Sequence, residues 1–191
     1  QTKTKKHRSL VYPLKDIMLG ADVHLKKFRW VSDAVVEYVY TRYQSGPVYT
    51  DRTPQITDHI GGVDNYYNNS IEPGWQHWGQ TLGNPLYRSP IYNEDKNLNF
   101  ECNRFTAWHV GIAGQPTRDI HYRIRASWQE GLGTYDKPFF DPKRNFSIGL
   151  EANYNANRIY KGITVGAAFG LDRGELLGNN TGATLTIRLE Q

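Results

Sequence analysis

The cysteine and histidine residues are the first candidates for chemistry, and their spacing predicts no metal centre. Cys102 is the single cysteine of the 191-residue chain, so an intrachain disulfide and a cysteine metal cluster are both excluded. The six histidines show neither the i, i+4 helical spacing nor the acidic context of a zinc site. They are His7, His24, His59, His77, His109 and His121. His77 is expected to be exposed in a loop, and no metal ion or cofactor is predicted.

Nucleophilic catalysis would need a serine or cysteine next to a histidine and a carboxylate. Cys102 has Glu101 beside it, and nothing nearby in the sequence would lower the pKa of its thiol. Ser127 could combine with His121 or Asp16, but no motif supports this arrangement. We therefore predict that the chain is not an enzyme and has no catalytic residues.

Tyrosine and tryptophan residues are concentrated among asparagine and glycine in one long segment. Exposed aromatic rings can stack on sugar rings while neighbouring amides bond the hydroxyl groups, but the same rings could instead pack the segment into a plug or against a rim. The two interpretations are compatible. We predict that four aromatic residues stack on glycan and that two basic residues contact acidic sugars: Tyr66, Tyr67, Trp75 and Trp78, with Arg88 and Lys96.

Charged side chains alternate with apolar ones in the segments that read as strands. In residues 120–129 every second residue is apolar or aromatic and the residues between them are polar, so the two faces of a strand would differ. The polar faces are predicted to line a barrel lumen with Arg29, Glu37, Arg123, Arg125, Glu151 and Arg188. Such charges must be paired or hydrated. They form either a cross-strand salt-bridge network or an ion-selective pore constricted by Arg123 and Arg125, and His109 and His121 are predicted to form an internal hydrogen-bonded pair.

The same alternation recurs elsewhere and predicts seven strands. They cover residues 17–25, 28–41, 105–112, 120–129, 146–154, 163–171 and 183–189. Trp30 and Tyr40 lie ten residues apart in the second predicted strand, which corresponds to about 25 Å along a tilted strand. This is the height of the lipid-facing band between the aromatic girdles of an outer-membrane barrel.

The connections between these strands are predicted to alternate between short turns and longer loops. The short ones are Lys26-Lys27, 114–118 and 155–157, the long ones are 44–99 and 131–143, and the one at 172–180 is intermediate. Outer-membrane barrels have short periplasmic turns and longer extracellular loops. Residues 44–99 are therefore predicted to form a long extracellular loop.

The predicted fold is all-β, a transmembrane antiparallel β-barrel of the outer membrane with about seven strands in this chain. No run approaches the ~18 apolar residues of a membrane helix. Because bacterial single-chain barrels have an even number of strands, we expect this chain to be part of a larger barrel, completed by a missing N-terminal part or a partner chain. Residues 1–191 would be a single β-barrel domain or its C-terminal portion.

Residues 1–13 are predicted to be a basic N-terminal segment. Elsewhere the basic residues are scattered, and the formal net charge is only +4. A solvated terminus explains this segment without a nucleic-acid partner, and none is predicted.

Five motifs occur in a characteristic order and spacing. They are Tyr-Tyr-Asn-Asn (66–69), Gly-Trp-Gln-His-Trp-Gly (74–79), Leu-Gly-Asn-Pro-Leu (82–86), Asn-Arg-Phe-Thr-Ala-Trp-His-Val-Gly-Ile-Ala-Gly (103–114) and Gly-Thr-Tyr (133–135). Together they resemble the C-terminal region of the Wzi family of capsule assembly proteins, in the form found in Bacteroidetes. The resemblance implies a partly occluded outer-membrane barrel that helps to hold capsular polysaccharide at the cell surface, with no enzymatic activity and no cofactor. The ending Leu189-Glu190-Gln191 departs from the terminal aromatic residue of many outer-membrane barrels.

The leading hypothesis is an outer-membrane protein whose extracellular loops contribute to the surface attachment and assembly of capsular polysaccharide. Its expected partners are capsular or surface polysaccharide and outer-membrane lipid. The alternative is a porin-like channel for small polar or anionic solutes. A third hypothesis is a soluble β-domain that binds a partner.

Overall fold

The structure is a computed structural model that describes residues 16–25, 27–44, 67–68, 74–157 and 160–189. The described residues form strands and one short 3-10 helix, and they contain no α-helix. The elements are β1 (Ile17–His24), β2 (Asp33–Tyr40), β3 (Gln76–His77), β4 (Gln80–Thr81), η1 (Pro90–Tyr92), β5 (Phe105–Gly114), β6 (Ile120–Gly133), β7 (Pro138–Asn155), β8 (Ile163–Gly174) and β9 (Asn180–Leu189). Within the described residues, no helix is long and apolar enough to cross a membrane.

Seven of these strands form one antiparallel sheet. Their order is β1-β2-β5-β6-β7-β8-β9, and β3 pairs with β4 in a separate two-stranded ribbon. Each strand of the large sheet lies beside the next one along the chain, apart from the ribbon inserted between β2 and β5. The prediction of an all-β fold with seven antiparallel strands is confirmed. Within the described residues the sheet is open, with β1 and β9 at its two edges.

The chain divides into two compact units, here called the core unit and the sheet unit. The core unit comprises Gln1–Met18, Val39–Ala107 and Glu130–Lys143. The sheet unit comprises Leu19–Tyr38, Trp108–Gln129 and Arg144–Gln191. Five strands, β1, β2, β5, β6 and β7, contribute residues to both units.

The core unit contains the buried hydrophobic cluster. Its buried members are Val39, Tyr87, Phe100, Phe105 and Ala107, with Tyr67 and Leu86 packed against them. Side-chain amides in this unit form hydrogen bonds with backbone groups. The amide of Asn68 accepts from the backbone N–H of Phe100 at 2.7 Å and donates to its carbonyl at 2.9 Å, while the buried Gln44 side chain donates to the Asn103 carbonyl at 2.7 Å. These bonds join segments far apart in the sequence and give the irregular backbone fixed partners.

The sheet unit separates apolar and polar side chains onto two faces of the sheet. Residues directly opposed on neighbouring strands share a face. The register opposes Leu150 to Phe169 on one face and Thr164 to Arg188 on the other. On the apolar face every strand exposes large side chains: Leu19, Val23, Val36, Trp108, Val110, Ile112, Ile120, Trp128, Phe146, Leu150, Tyr154, Phe169, Leu185, Ile187 and Leu189. No described segment covers this face.

The second strand is shorter than predicted, because β2 begins only at Asp33. Leu25 and residues 27–32 are irregular instead. Among them, the Trp30 carbonyl passes so close to Gly114 that a Cβ on this glycine would lie 2.1 Å from the oxygen. Trp30 and Tyr40 therefore do not lie on one strand, and the girdle spacing inferred from them is wrong.

The loop predicted at residues 131–143 is also wrong. β6 continues to Gly133 and β7 starts at Pro138, so only four residues connect them. Gly133 adopts a φ of +80°, and the Lys137 backbone N–H donates to the Thr134 hydroxyl at 2.9 Å. Glycine and proline suggested a loop here, but strand pairing on both sides of a tight turn overrides that local preference.

The predicted alternation of short and long connections is therefore not observed. The other connections within the sheet cover residues 115–119, 156–162 and 175–179, and all of them are short. Only the β2–β5 connection is long. It includes the predicted loop at 44–99, and its described part carries β3, β4 and η1. The rest of that prediction, at 45–66 and 69–73, lies outside the described residues.

Candidate functional site

The β3–β4 hairpin presents a tryptophan at its tip. Gln76 opposes Thr81 and His77 opposes Gln80, so Trp78 and Gly79 are the two turn residues. Their φ angles are 52° and 79°. Two consecutive residues with positive φ are typical of a type I′ turn, whose twist matches that of the flanking strands.

Trp78 is unusual in two respects, because its large apolar side chain is exposed and its backbone is left-handed. The residue is 82% exposed, and Trp75 at the start of the hairpin is 67% exposed. A left-handed backbone costs a residue with a side chain about 1–2 kcal/mol. Strain of this kind is concentrated at functional sites, where the surrounding structure holds it in place. The edge of the neighbouring His77 ring faces the Trp78 ring, with 6.1 Å between the ring centroids.

Hydrogen bonds hold the hairpin in one orientation within the core unit. The Gly79 backbone N–H donates to the Gln76 side chain at 2.5 Å, and the Gly79 carbonyl accepts from Ile91 N–H at 2.9 Å. At the other end the Trp75 N–H donates to the Tyr67 carbonyl at 3.0 Å. A Cβ on Gly79 would lie 3.1 Å from Ile91, so the tip is packed directly against η1.

The hairpin and the bonded 3-10 helix expose several apolar side chains together. We define the aromatic surface as Trp75, Trp78, Leu82, Ile91 and Tyr92, all of which are exposed. The prediction of one long loop missed this hairpin, because Trp-Gly is not among the dipeptides typical of a type I′ turn.

The predicted glycan residues divide into distinct environments. Tyr66 lies outside the described residues. The Tyr67 ring stacks on Tyr87 at 3.7 Å between centroids and lies edge-on to Phe100 at 5.2 Å, so it packs with the hydrophobic cluster. Lys96 is exposed in a turn with a φ of 59°. Tyr67 is therefore a packed aromatic residue, whereas Trp75 and Trp78 are exposed, so each of the two interpretations applies to different residues.

The guanidinium group of Arg88 forms its hydrogen bonds with residues of the core unit. Its guanidinium donates to Glu101 at 2.6 Å, to the Asn93 side chain at 3.0 Å and to the Tyr92 carbonyl. Asn93 in turn donates to the carbonyls of two residues beyond it, at 2.8 and 2.7 Å. These bonds brace the backbone that follows η1 and thereby support Tyr92 of the aromatic surface.

Five of the six predicted charged residues lie on strands of the sheet unit, and Arg29 does not. Arg125 lies 2.5 Å from one oxygen of Glu151, and Arg123 lies 3.5 Å from the other. Cross-strand salt bridges thus join β6 and β7, and the assignment of these residues to a barrel lumen stays a prediction. Arg29 lies in the β1–β2 connection, Glu37 on β2 and Arg188 on β9, and none of these three makes a salt bridge with a described residue.

The predicted pairing of His109 with His121 is wrong. His109 Nδ1 lies 2.6 Å from the Ser127 hydroxyl on the neighbouring strand β6. A second histidine contact was not predicted from the sequence. His24 Nδ1 lies 2.5 Å from Asp33, whose other oxygen accepts from the Ser32 hydroxyl at 2.5 Å. Since that serine bonds the carboxylate and not the histidine, the group lacks the order of a catalytic triad.

Cys102 is buried in the core unit, and burial raises the pKa of its thiol. A neutral thiol is a poor nucleophile. Among the described residues, no group of three or more histidine, cysteine, aspartate or glutamate side chains could hold a metal ion.

Comparison with protein-family models, curated proteins and solved structures finds no match to this chain. The resemblance to the Wzi family stays a prediction from the sequence motifs.

Proposed function

We propose that this chain is an outer-membrane protein that helps to attach or assemble capsular polysaccharide at the cell surface. In this proposal the sheet unit faces lipid with its apolar face. The core unit presents the aromatic surface to polysaccharide. Neither role requires a cofactor or a catalytic residue.

The lipid-facing role is supported by the distribution of apolar side chains in the sheet unit. Soluble monomers seldom leave an apolar patch of more than a few hundred Å² uncovered. Here the apolar face is exposed on every strand, and on β9 Leu185 and Ile187 are 72% and 69% exposed. The opposite face carries arginine, glutamate and threonine. Apolar-out and polar-in alternation is the pattern of a barrel wall in a membrane.

Strand length supports the same assignment. A strand crosses a membrane with about 9–11 residues. β7 has 18 residues, and its first six, Pro138–Lys143, belong to the core unit. The residues from Phe146 to Tyr154 that alternate between the faces are enough for the crossing. Residues 138–143 of β7, which belong to the core unit, are therefore not needed to span the hydrocarbon layer.

The observation that carries the glycan-binding role is the exposed Trp78 indole on a hydrogen-bonded hairpin tip. A rigid aromatic ring offers a flat apolar surface at a low cost in conformational entropy. Sugar rings present apolar C–H groups that stack on such a surface. The left-handed backbone at Trp78 is a strained choice for a residue with no binding role.

Capsule retention tests this proposal. Replacing Trp75 and Trp78 by alanine should release capsular polysaccharide from cells while leaving the amount of protein in the outer membrane unchanged. Trp128→Ala, which removes an indole from the apolar face, serves as the matched control and should retain the capsule. Equal retention by the unmodified protein and both variants would refute the role of the aromatic surface.

A second candidate function is a porin-like channel, and one feature of the polar face favours it. Gly149, Gly170 and Gly182 oppose one another across β7, β8 and β9 and form a row without side chains. Such a row leaves space beside the charged residues of β6. Planar-bilayer recordings distinguish the candidates. Stable large openings that change in ion selectivity with Arg123→Gln and Arg125→Gln would favour the channel.

A further inference from the structure

A pocket of about 530 Å³ lies within the sheet unit. It is formed by the end of β1, the β1–β2 connection, the β5–β6 turn and adjacent residues of β6 and β7. Its volume falls in the range of small-molecule sites, roughly 300–1,000 Å³. Three arginines line it, namely Arg29, Arg118 and Arg123.

Both carboxylates that line the pocket already have partners. Asp33 is bonded to His24 and Ser32, each at 2.5 Å. Glu151 lies between two arginines of β6, at 2.5 and 3.5 Å. Each carboxylate of the pocket is therefore already in contact with a protein side chain, and that of Glu151 is paired with arginine.

Arg29 and Arg118 differ from these groups, because neither makes a salt bridge with a carboxylate in the part of the chain that the structure describes. Both residues are exposed to solvent at the pocket. A guanidinium group binds carboxylate or phosphate oxygens through paired N–H donors. An anionic group in the pocket would give these two arginines the partner that the described protein does not supply.

The other lining residues suit a sugar ring. Phe28 is an exposed aromatic residue of the lining. Asn153 and Gln115 are its amide residues, and Gln115 also donates to the Arg118 carbonyl at 3.1 Å. An amide both donates and accepts hydrogen bonds, so it can bind sugar hydroxyl groups in either sense. Aromatic rings cover the apolar C–H faces of the same ligand.

We propose that this pocket binds an acidic monosaccharide, either free or as one unit of a glycan, with its anionic group held by Arg29 and Arg118. The site belongs to the sheet unit and uses none of the residues of the aromatic surface. It therefore stands independently of capsule attachment through Trp75 and Trp78.

Isothermal titration calorimetry of the full chain in detergent micelles tests the proposal with three probes: glucuronate, glucose 1-phosphate and glucose. We expect the two anionic sugars to bind and the neutral sugar to bind much more weakly. Arg29→Gln combined with Arg118→Gln should weaken anion binding by about tenfold for each arginine removed. Arg188→Gln removes the same charge from β9, away from the pocket, and should bind like the unmodified protein.

The two anions distinguish the chemistry of the bound group. Tighter binding of glucuronate indicates a carboxylate site, and tighter binding of glucose 1-phosphate indicates a phosphate site. The proposal is overturned if neither anion binds, if glucose binds equally well, or if the double variant binds like Arg188→Gln. Should the double variant lose its strand signal in circular dichroism, Arg118→Gln alone, in the exposed turn, gives the same comparison.

Discussion

Phe105 and Trp108 stand three residues apart on β5, yet Phe105 is 0% exposed and Trp108 is 48% exposed. The first belongs to the core unit and the second to the sheet unit. The core unit buries Tyr87, Phe100 and Phe105 in one hydrophobic cluster, as a water-soluble protein does, and it exposes the aromatic residues of the hairpin and η1. The sheet unit leaves its apolar residues on one uncovered face. Strand β5 thus has one aromatic residue that is buried and another that is half exposed. The exposure of aromatic and aliphatic residues on the apolar face is the main support for the proposed membrane role.

Replacing Phe105 by alanine should have the largest effect. A buried phenylalanine contributes both transfer free energy and packing, so we expect the free energy of unfolding of the core unit to fall by about 3–5 kcal/mol. Trp108→Ala should lower it much less, because the indole is half exposed. Denaturant unfolding followed by circular dichroism in micelles measures both. Equal losses would mean that the two environments do not differ.

An arginine on the apolar face gives a more direct test of lipid contact. Val110→Arg should destabilise the protein in lipid vesicles by about 2–4 kcal/mol if this position lies near the centre of the bilayer. Thr186→Arg places the same side chain on the polar face of β9 and should have little effect. The measurement is reversible unfolding from vesicles. If Val110→Arg is as stable as Thr186→Arg, the apolar face does not contact lipid.

Gly79→Ala tests how rigidly the core unit holds the aromatic surface. The left-handed φ of 79° opposes a side chain at this position, and so does Ile91, which would lie only 3.1 Å from the added methyl group. We expect a loss of about 1–2 kcal/mol in the free energy of unfolding. The control is Gly182→Ala on β9, where no atom lies within 4 Å of the added methyl group. A control as destabilised as Gly79→Ala would show that the hairpin tip is not held more tightly than an open strand.

The reactivity of the Cys102 thiol should show whether the core unit is folded, and its measurement requires no substitution in that unit. The pKa of this thiol is raised above the ordinary value of 9.0 by burial. The folded state therefore favours the protonated thiol, and its stabilising contribution is present below pH 9 and is lost as the pH rises above that value. Labelling by a maleimide should be more than about tenfold slower in the folded protein than in urea. A cysteine introduced by Thr186→Cys on the exposed strand β9 should react rapidly in both states.

Much of the sheet could be predicted from the sequence, and much of the aromatic segment could not. The alternation of Arg125 and Glu151 with apolar neighbours predicted that both lie on a polar face, and their contact across β6 and β7 depends on the register of the folded sheet. The sequence did not predict that Tyr67 is packed and Trp75 exposed, because both are aromatic residues in the same irregular segment. Their burial depends on Phe100 and Tyr87, which reach Tyr67 only in the folded chain.

Amphipathic strands could be read from the order of residues alone, because the alternation of side chains between two faces is a local consequence of extended backbone geometry. The same is true of the excluded intrachain disulfide, since Cys102 is alone. The folded chain was needed to show that His109 meets Ser127, that four residues close the β6–β7 hairpin and that Trp78 stands at a turn. Register, turn closure and burial depend on contacts between distant segments, and the period of a single strand does not contain that information.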